Sequence, residues 1–134
     1  MKLRRFIFAF VLVGVFVGAA VALDLDFRLI NKTGKTMYRL YMNPSEFSKW
    51  NFDDDEISGE GLPIVPGDYA NVSITDKDRL GYRLWDMRAY FRDGEYWEYH
   101  NINLSRISSL TLNVDGRAVD NLGKYYNKTK NRTR

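Results

Sequence analysis

The sequence predicts an all-β fold: a single antiparallel β-sandwich of about seven strands, preceded by a signal peptide. Apolar residues alternate with polar residues over short runs, as in strands with one buried face. Clusters of Gly, Pro, Asn and Asp separate these runs, and no long helical pattern interrupts them. The chain of 134 residues therefore divides into a signal peptide at 1–22, a β-sandwich domain at 23–116 and a basic tail at 117–134 that we expect to be mobile.

The first residues have the form of a secretory signal. Basic residues within 2–5 precede an uncharged apolar run over 6–23, and Ala20-Val21-Ala22 supplies a small-residue cleavage site. Cleavage after Ala22 would start the mature chain at Leu23. An uncleaved membrane anchor is the alternative, because the run is just long enough to cross a bilayer. We therefore expect a periplasmic or secreted protein, which meets the membrane only if this segment is retained.

The net charge of +3 is carried by the three basic residues of the signal segment, so the mature chain is neutral. Its charge is unevenly distributed, because the domain is acidic and 117–134 holds six basic residues and one acidic residue. The high overall pI therefore does not indicate a nucleic-acid partner, and the tail is either a solvated end or an arm for anionic lipid or polymer. The absence of cysteine excludes disulfides and thiolate nucleophiles.

The strands follow one another along the domain. Alternation in "LDLDFRLIN" (23–31) predicts a half-buried strand, and "NKTG" (31–34) with "TMYRLYM" (36–42) predicts that this strand forms a hairpin with the next. The segment 61–75 predicts a short strand, a Pro-Gly-Asp turn and an alternating strand. Further strands are predicted at 81–91, 95–101 and 110–114.

The length of the turn in the hairpin over 82–102 decides which residues pair and which side chains are buried. A two-residue turn would bury a carboxylate and His100. A three-residue turn, with Gly94 in a left-handed bulge position, instead pairs Ala89 with Trp97 and gives one apolar face. The opposite face then brings each charge beside a compatible neighbour. We therefore predict the bulged turn.

The outer face of this hairpin is a candidate binding surface, because the bulged register places Arg88, Tyr90 and Tyr96 on it. Exposed tyrosines can stack on sugars or anchor a protein. The alternative is that the face packs against the second sheet or against Phe47 and Trp50. We expect an exported, non-enzymatic cell-envelope binding module whose partner is a protein or a glycan.

A hydrolase is a further hypothesis, because Asp86 and His100 would be two members of a catalytic triad. A triad also needs a nucleophile within hydrogen-bond reach of the imidazole, and no serine lies in a G-x-S-x-G elbow. A cross-strand surface pair explains the same two residues. We find no catalytic signature and do not expect an enzyme.

The acidic stretch "KWNFDDDEISGEG" (49–61) raises the possibility of calcium, although no cofactor is otherwise expected. An EF-hand loop starting at Asp54 would need a glutamate at its twelfth position, which is Val65. A cage between loops remains a hypothesis for a calcium-responsive module, and a solvated loop is the alternative. Its candidate ligands are Asp53, Asp54, Asp55, Glu56, Asp76 and Asp78.

Three stretches, "FRLINKTGKTMYRLYMNPSEFSKW", "RLWDMRAYFRDG" and "NINLSRISSLTL", resemble an uncharacterised family of small exported bacterial proteins. The similarity runs from about Phe27 to Leu112 and implies a periplasmic or secreted β-sandwich with no established activity. Many members have two cysteines where Arg83 and Ser105 stand here, which implies that a bridge worth a few kcal/mol is missing. The matching residues are Asn31, Thr33, Gly34, Tyr41, Pro44, Trp50, Trp85, Asp86, Asp93, Gly94, Leu104 and Ile107.

Overall fold

Two packed β-sheets make up the part of the chain that the computed structural model describes, which is residues 25–47, 49–53, 55–57, 61–75 and 79–129. These ranges contain no helix, so none that could span a membrane, and the all-β class is confirmed. The predicted signal peptide at 1–22 lies outside them. The strands are β1 Leu25–Lys32, β2 Met37–Pro44, β3 Glu56–Ile57, β4 Tyr69–Ile74, β5 Leu84–Phe91, β6 Tyr96–Asn103, β7 Ser109–Asn113, β8 Arg117–Asp120 and β9 Tyr125–Asn127.

One sheet has five strands in the order β4-β1-β7-β8-β9, and the other has four in the order β3-β2-β5-β6. All neighbours pair antiparallel except β1 and β7, which are parallel from Arg28 opposite Ser109 to Lys32 opposite Asn113. The purely antiparallel prediction is therefore wrong at this pair. Parallel neighbours require a long crossover, and here the connection from β1 to β7 passes through the whole four-stranded sheet.

The predicted hairpin between β1 and β2 is wrong, because these strands lie in different sheets. The turn after β1 is closed by the buried side chain of Asn31, whose Nδ2 donates to the carbonyls of Lys35 and Ile64 at 2.8 Å each. Its Oδ1 accepts from the Thr33 hydroxyl at 2.6 Å. Gly34 follows with φ of 81°, a conformation that glycine adopts readily. The turn residues thus redirect the chain across the sandwich.

The bulged β5–β6 hairpin is confirmed. Ala89 pairs with Trp97 and Met87 with Tyr99, and Gly94 has φ of 88°. This register turns the large apolar side chains inward and leaves the charged ones outside.

The core lies between the inner faces of the two sheets. Tyr99 of β6 connects the two sheets by a hydrogen bond. Its hydroxyl donates at 2.7 Å to the carbonyl of Gly116, which lies between β7 and β8 of the five-stranded sheet. Burial raises the pKa of this phenol above its ordinary value, so it stays a donor. The core includes Phe27, Leu29, Leu40, Met42, Trp85, Met87, Ala89, Phe91, Tyr99, Leu110 and Leu112.

Part of the expected tail belongs to the domain, because β8 and β9 lie within 117–134. The turn between them is built by Asp120, whose Oδ1 accepts from the backbone N–H of Leu122 at 2.9 Å and of Lys124 at 3.0 Å. Burial and the hydrogen bond to Asp120 raise the pKa of Tyr126 to about 12. The Thr129 N–H then donates to the Glu98 carbonyl of β6 at 2.9 Å. The domain therefore extends to at least Thr129 rather than ending at 116, and 130–134 lie outside the described residues.

Candidate functional site

Aromatic side chains cluster on the outer side of the four-stranded sheet, opposite the core. Alternation along β2, β5 and β6 places Tyr41 beside Arg88, and Tyr90 beside Tyr96. The segment after β2 returns over these side chains and adds two more rings. We call this surface the aromatic face; it consists of Tyr41, Trp50, Phe52, Arg88, Tyr90 and Tyr96.

Arg88 is at the centre of the aromatic face. Its guanidinium carbon is 4.5 Å from the centre of the Tyr96 ring and 5.1 Å from those of both Trp50 and Phe52. These distances are typical of cation–π contacts. One planar cation therefore holds rings from a strand and from a loop together.

The charge of Arg88 is compensated within the same face. Its Nε donates to Oε1 of Glu98 at 2.7 Å, directly across the β5–β6 pair. Burial lowers the pKa of the Arg88 guanidinium, but hydrogen bonds to Tyr90 and Glu98 outweigh burial and raise it above its ordinary value. Arg88 thus stays charged and paired with Glu98.

The returning loop is fixed by the strand end that precedes it. The buried Asn43 side chain donates to the Phe47 carbonyl at 3.3 Å, which holds the chain close to β2. Further along, the Phe52 ring packs edge-on against Tyr41 at 5.2 Å and is stacked near Trp50 at 6.3 Å. Phe52 nevertheless remains 45% exposed. The aromatic face is therefore an ordered cluster with an open ring at its surface.

The structure brings the three predicted binding residues together. Tyr90 and Tyr96 lie 5.1 Å apart on the outer face, half-buried, with Arg88 beside them. The alternative interpretation predicted that Phe47 and Trp50 pack on this face. Trp50 does so, whereas the Phe47 ring centre lies 5.1 Å from that of Tyr82 instead. Sequence reasoning does not identify Phe52, and its only signal is its spacing of two residues from Trp50.

Asp86 and His100 also meet, but their geometry differs from that of a triad. Nδ1 of His100 is 3.1 Å from Asp86, and its Nε2 is 3.1 Å from Glu98. The nearby Ser45 hydroxyl donates to Asp86 at 2.7 Å rather than approaching the imidazole. Both imidazole nitrogens therefore face carboxylates, and no hydroxyl among the described residues is held by the imidazole as a nucleophile. The hydrolase hypothesis gains no support here and stays a prediction.

The acidic side chains of 49–61 that the structure describes have different partners and do not converge on one point. The Asp55 carboxylate is fully buried, forms an ion pair with Arg79 and accepts from the Asn51 N–H at 2.6 Å. Glu56 instead extends toward Arg39 at 3.6 Å, and Asp53 is exposed. Across the ranges that the structure describes, no three His, Asp or Glu side chains are grouped to hold a metal ion. The other candidates, Asp54, Asp76 and Asp78, lie outside these ranges, so calcium binding stays a prediction.

Comparison with known proteins adds no assignment to this geometry. No protein-family model, no curated protein and no solved structure matches this chain.

Proposed function

We propose that this protein is an exported, non-enzymatic binding module of the cell envelope that binds a protein partner through the aromatic face. The observation that supports the proposal is an exposed ring, Phe52, mounted on an ordered cluster of Trp, Tyr and Arg side chains outside the core. Trp, Tyr and Arg are the residues that dominate the binding energy of protein interfaces.

Preorganisation strengthens the proposal. Each ring of the cluster is already in contact with Arg88 or with another ring, so a partner would immobilise few side chains. Ordering a free side chain on binding costs about 0.5 to 1.5 kcal/mol. A rigid aromatic surface avoids most of that cost.

The hydrogen bonding of the face favours a protein over a glycan. Arg88 and Glu98 satisfy each other, so this charged pair offers few open donors or acceptors to sugar hydroxyls. Ring surface surrounds this pair, and Phe52 is its most exposed part. Such a surface matches the apolar centre of a protein interface.

The Phe52→Ser variant tests the binding surface. We expect it to weaken the partner's affinity at least tenfold, because it removes the most exposed ring of the cluster. The partner is captured by cross-linking at the cell envelope, identified by mass spectrometry and purified, and its dissociation constant is measured by titration calorimetry.

Leu122→Ser is the matched control for this test. Leu122 is an exposed apolar residue (65%) in the β8–β9 turn, on the other sheet. Its variant should bind like the wild type. Equal affinity of the wild type and Phe52→Ser, with both folded by circular dichroism, contradicts the proposed surface.

Export is tested at the N-terminus. Protein recovered from the periplasmic fraction or the medium of a bacterial culture is expected to begin at Leu23, because Ala20-Val21-Ala22 forms the cleavage site. An Ala22→Arg variant should accumulate with the segment 1–22 attached. A wild-type chain that keeps Met1 and stays in the cytosol would refute export.

A further inference from the structure

The outer side of the five-stranded sheet carries a second feature, an open groove of about 620 Å³. This volume lies in the range of small-ligand sites. The groove crosses three adjacent strands, β4, β1 and β7. We call it the polar groove; the polar residues that line it are Asp26, Arg28, Asn71, Ser73, Ser108 and Ser109.

The strand register places the polar residues of β4, β1 and β7 directly opposite one another. Arg28 lies opposite Asn71 on β4 and opposite Ser109 on β7, and Asp26 lies opposite Ser73. Directly opposed residues in a sheet have their Cβ atoms about 5 Å apart. Guanidinium, amide, hydroxyl and carboxylate groups from three strands are thus assembled within the span of a small ligand.

The Arg28 side chain is free of the carboxylate partners that hold Arg79 and Arg88, within the residues that the structure describes. Arg88 and Arg79 are paired with carboxylates, whereas the Arg28 side chain forms no ion pair or hydrogen bond within the described ranges. Its guanidinium carbon lies 4.2 Å from the centre of the Tyr69 ring, a cation–π contact that steadies the side chain without using its N–H donors. A guanidinium held in this way is prepared for two parallel hydrogen bonds.

The edge of the groove is also fixed. Oδ1 of Asn121 accepts from the backbone N–H of Ser108 at 2.7 Å and of Ser109 at 3.2 Å. Both serine hydroxyls remain available, since within the described part of the chain neither makes a hydrogen bond. Asp26 is likewise exposed and unpaired there.

We propose that the polar groove binds a neutral carbohydrate. Sugar hydroxyls both donate and accept, and the groove offers donors on Arg28, acceptors on Asp26 and groups of both kinds on Asn71 and the serines. One cation and one anion leave the groove without net charge, which disfavours anionic and cationic ligands. The Tyr69 ring, 46% exposed, borders these groups with apolar surface for the C–H face of a sugar.

Nuclear magnetic resonance titration of the purified protein tests this site. The probes are maltohexaose, cellohexaose and the N-acetylglucosamine hexamer, which are neutral, and oligogalacturonate, which is anionic. We expect at least one neutral hexasaccharide to give saturable shifts of the backbone amides of Arg28, Asn71 and Ser109. No such shifts with any neutral probe, or shifts with oligogalacturonate alone, would overturn the proposal.

Substitutions of Arg28 test whether this residue contributes to sugar binding. Arg28→Ala should weaken the responding sugar at least tenfold, and Arg28→Lys should weaken it less, because lysine keeps the charge and loses the planar pair of donors. Arg117→Ala is the matched control, since Arg117 also lies over a tyrosine on the same sheet, 5.4 Å from the Tyr125 ring. Equal losses in both alanine variants would overturn the assignment. Phe52→Ser should leave sugar binding unchanged, so the two proposals can fail separately.

Discussion

The Asp55→Ala variant is expected to lose about 3 to 5 kcal/mol of its free energy of unfolding, the usual cost of removing one member of a buried ion pair. The Asp55 carboxylate is wholly buried, and Arg79 beside it is largely so. Alanine would leave the guanidinium charge without this partner and the Asn51 N–H without its acceptor. The Arg79 side chain is only 14% exposed, so water replaces the lost carboxylate poorly.

Urea unfolding followed by circular dichroism measures this loss as a fall of the midpoint at constant slope. Asp53→Ala is the control, because Asp53 is an exposed acid two residues away and its removal should change stability by no more than about 0.5 kcal/mol. A loss in Asp55→Ala as small as that of the control would show that the ion pair does not stabilise the fold.

The same measurement separates the ion pair from the calcium hypothesis. Calcium at 100 times its dissociation constant would stabilise a calcium-binding domain by about 2.7 kcal/mol, and chelator would remove the gain. In that case both the Asp53 and the Asp55 variant would lose the response. Under the ion-pair interpretation calcium changes neither the wild type nor the variants.

The Asn31→Ala variant is expected to lose about 3 kcal/mol, because each buried polar group left without a partner costs about 1 to 3 kcal/mol. The Asn31 amide donates to two carbonyls, of Lys35 and Ile64, and its oxygen accepts from the backbone and the hydroxyl of Thr33. All of these bonds are lost together. Thermal and urea unfolding both measure the change.

Asn127→Ala is the matched control for Asn31, since Asn127 is an exposed asparagine near the other end of the domain. Its removal should be nearly neutral. If Asn31→Ala is as mild as this control, the turn after β1 does not depend on the buried amide.

Local patterns predicted the β5–β6 hairpin, because its two strands are neighbours in the sequence and Gly94 specifies the turn. The same reasoning failed between β1 and β2. Residues 31–34 do form a tight turn, but the partner that fixes its direction, Ile64, is 33 residues away from Asn31. Turn chemistry in the sequence cannot reveal a distant acceptor.

The candidate sites likewise contain residues that the sequence predicts and residues that only the fold brings together. Alternation combined with the bulged turn placed Arg88, Tyr90 and Tyr96 on one outer face. The contribution of Phe52 depends on a loop that folds back, and the acidic composition around Asp55 suggested solvent or calcium rather than a buried ion pair. The polar groove could not be predicted, because its lining comes from three segments far apart in the chain.

The position of β1 also governs when the domain can fold. This first described strand lies inside the five-stranded sheet, and its parallel partner β7 ends only at Asn113. A chain synthesised from its N-terminus can pair β1 with β4, but it lacks the β7 partner until most of its length is available. Pairings between distant segments slow folding to the range of milliseconds to seconds. During that interval the side of β1 that pairs with β7 presents unpaired backbone N–H and C=O groups.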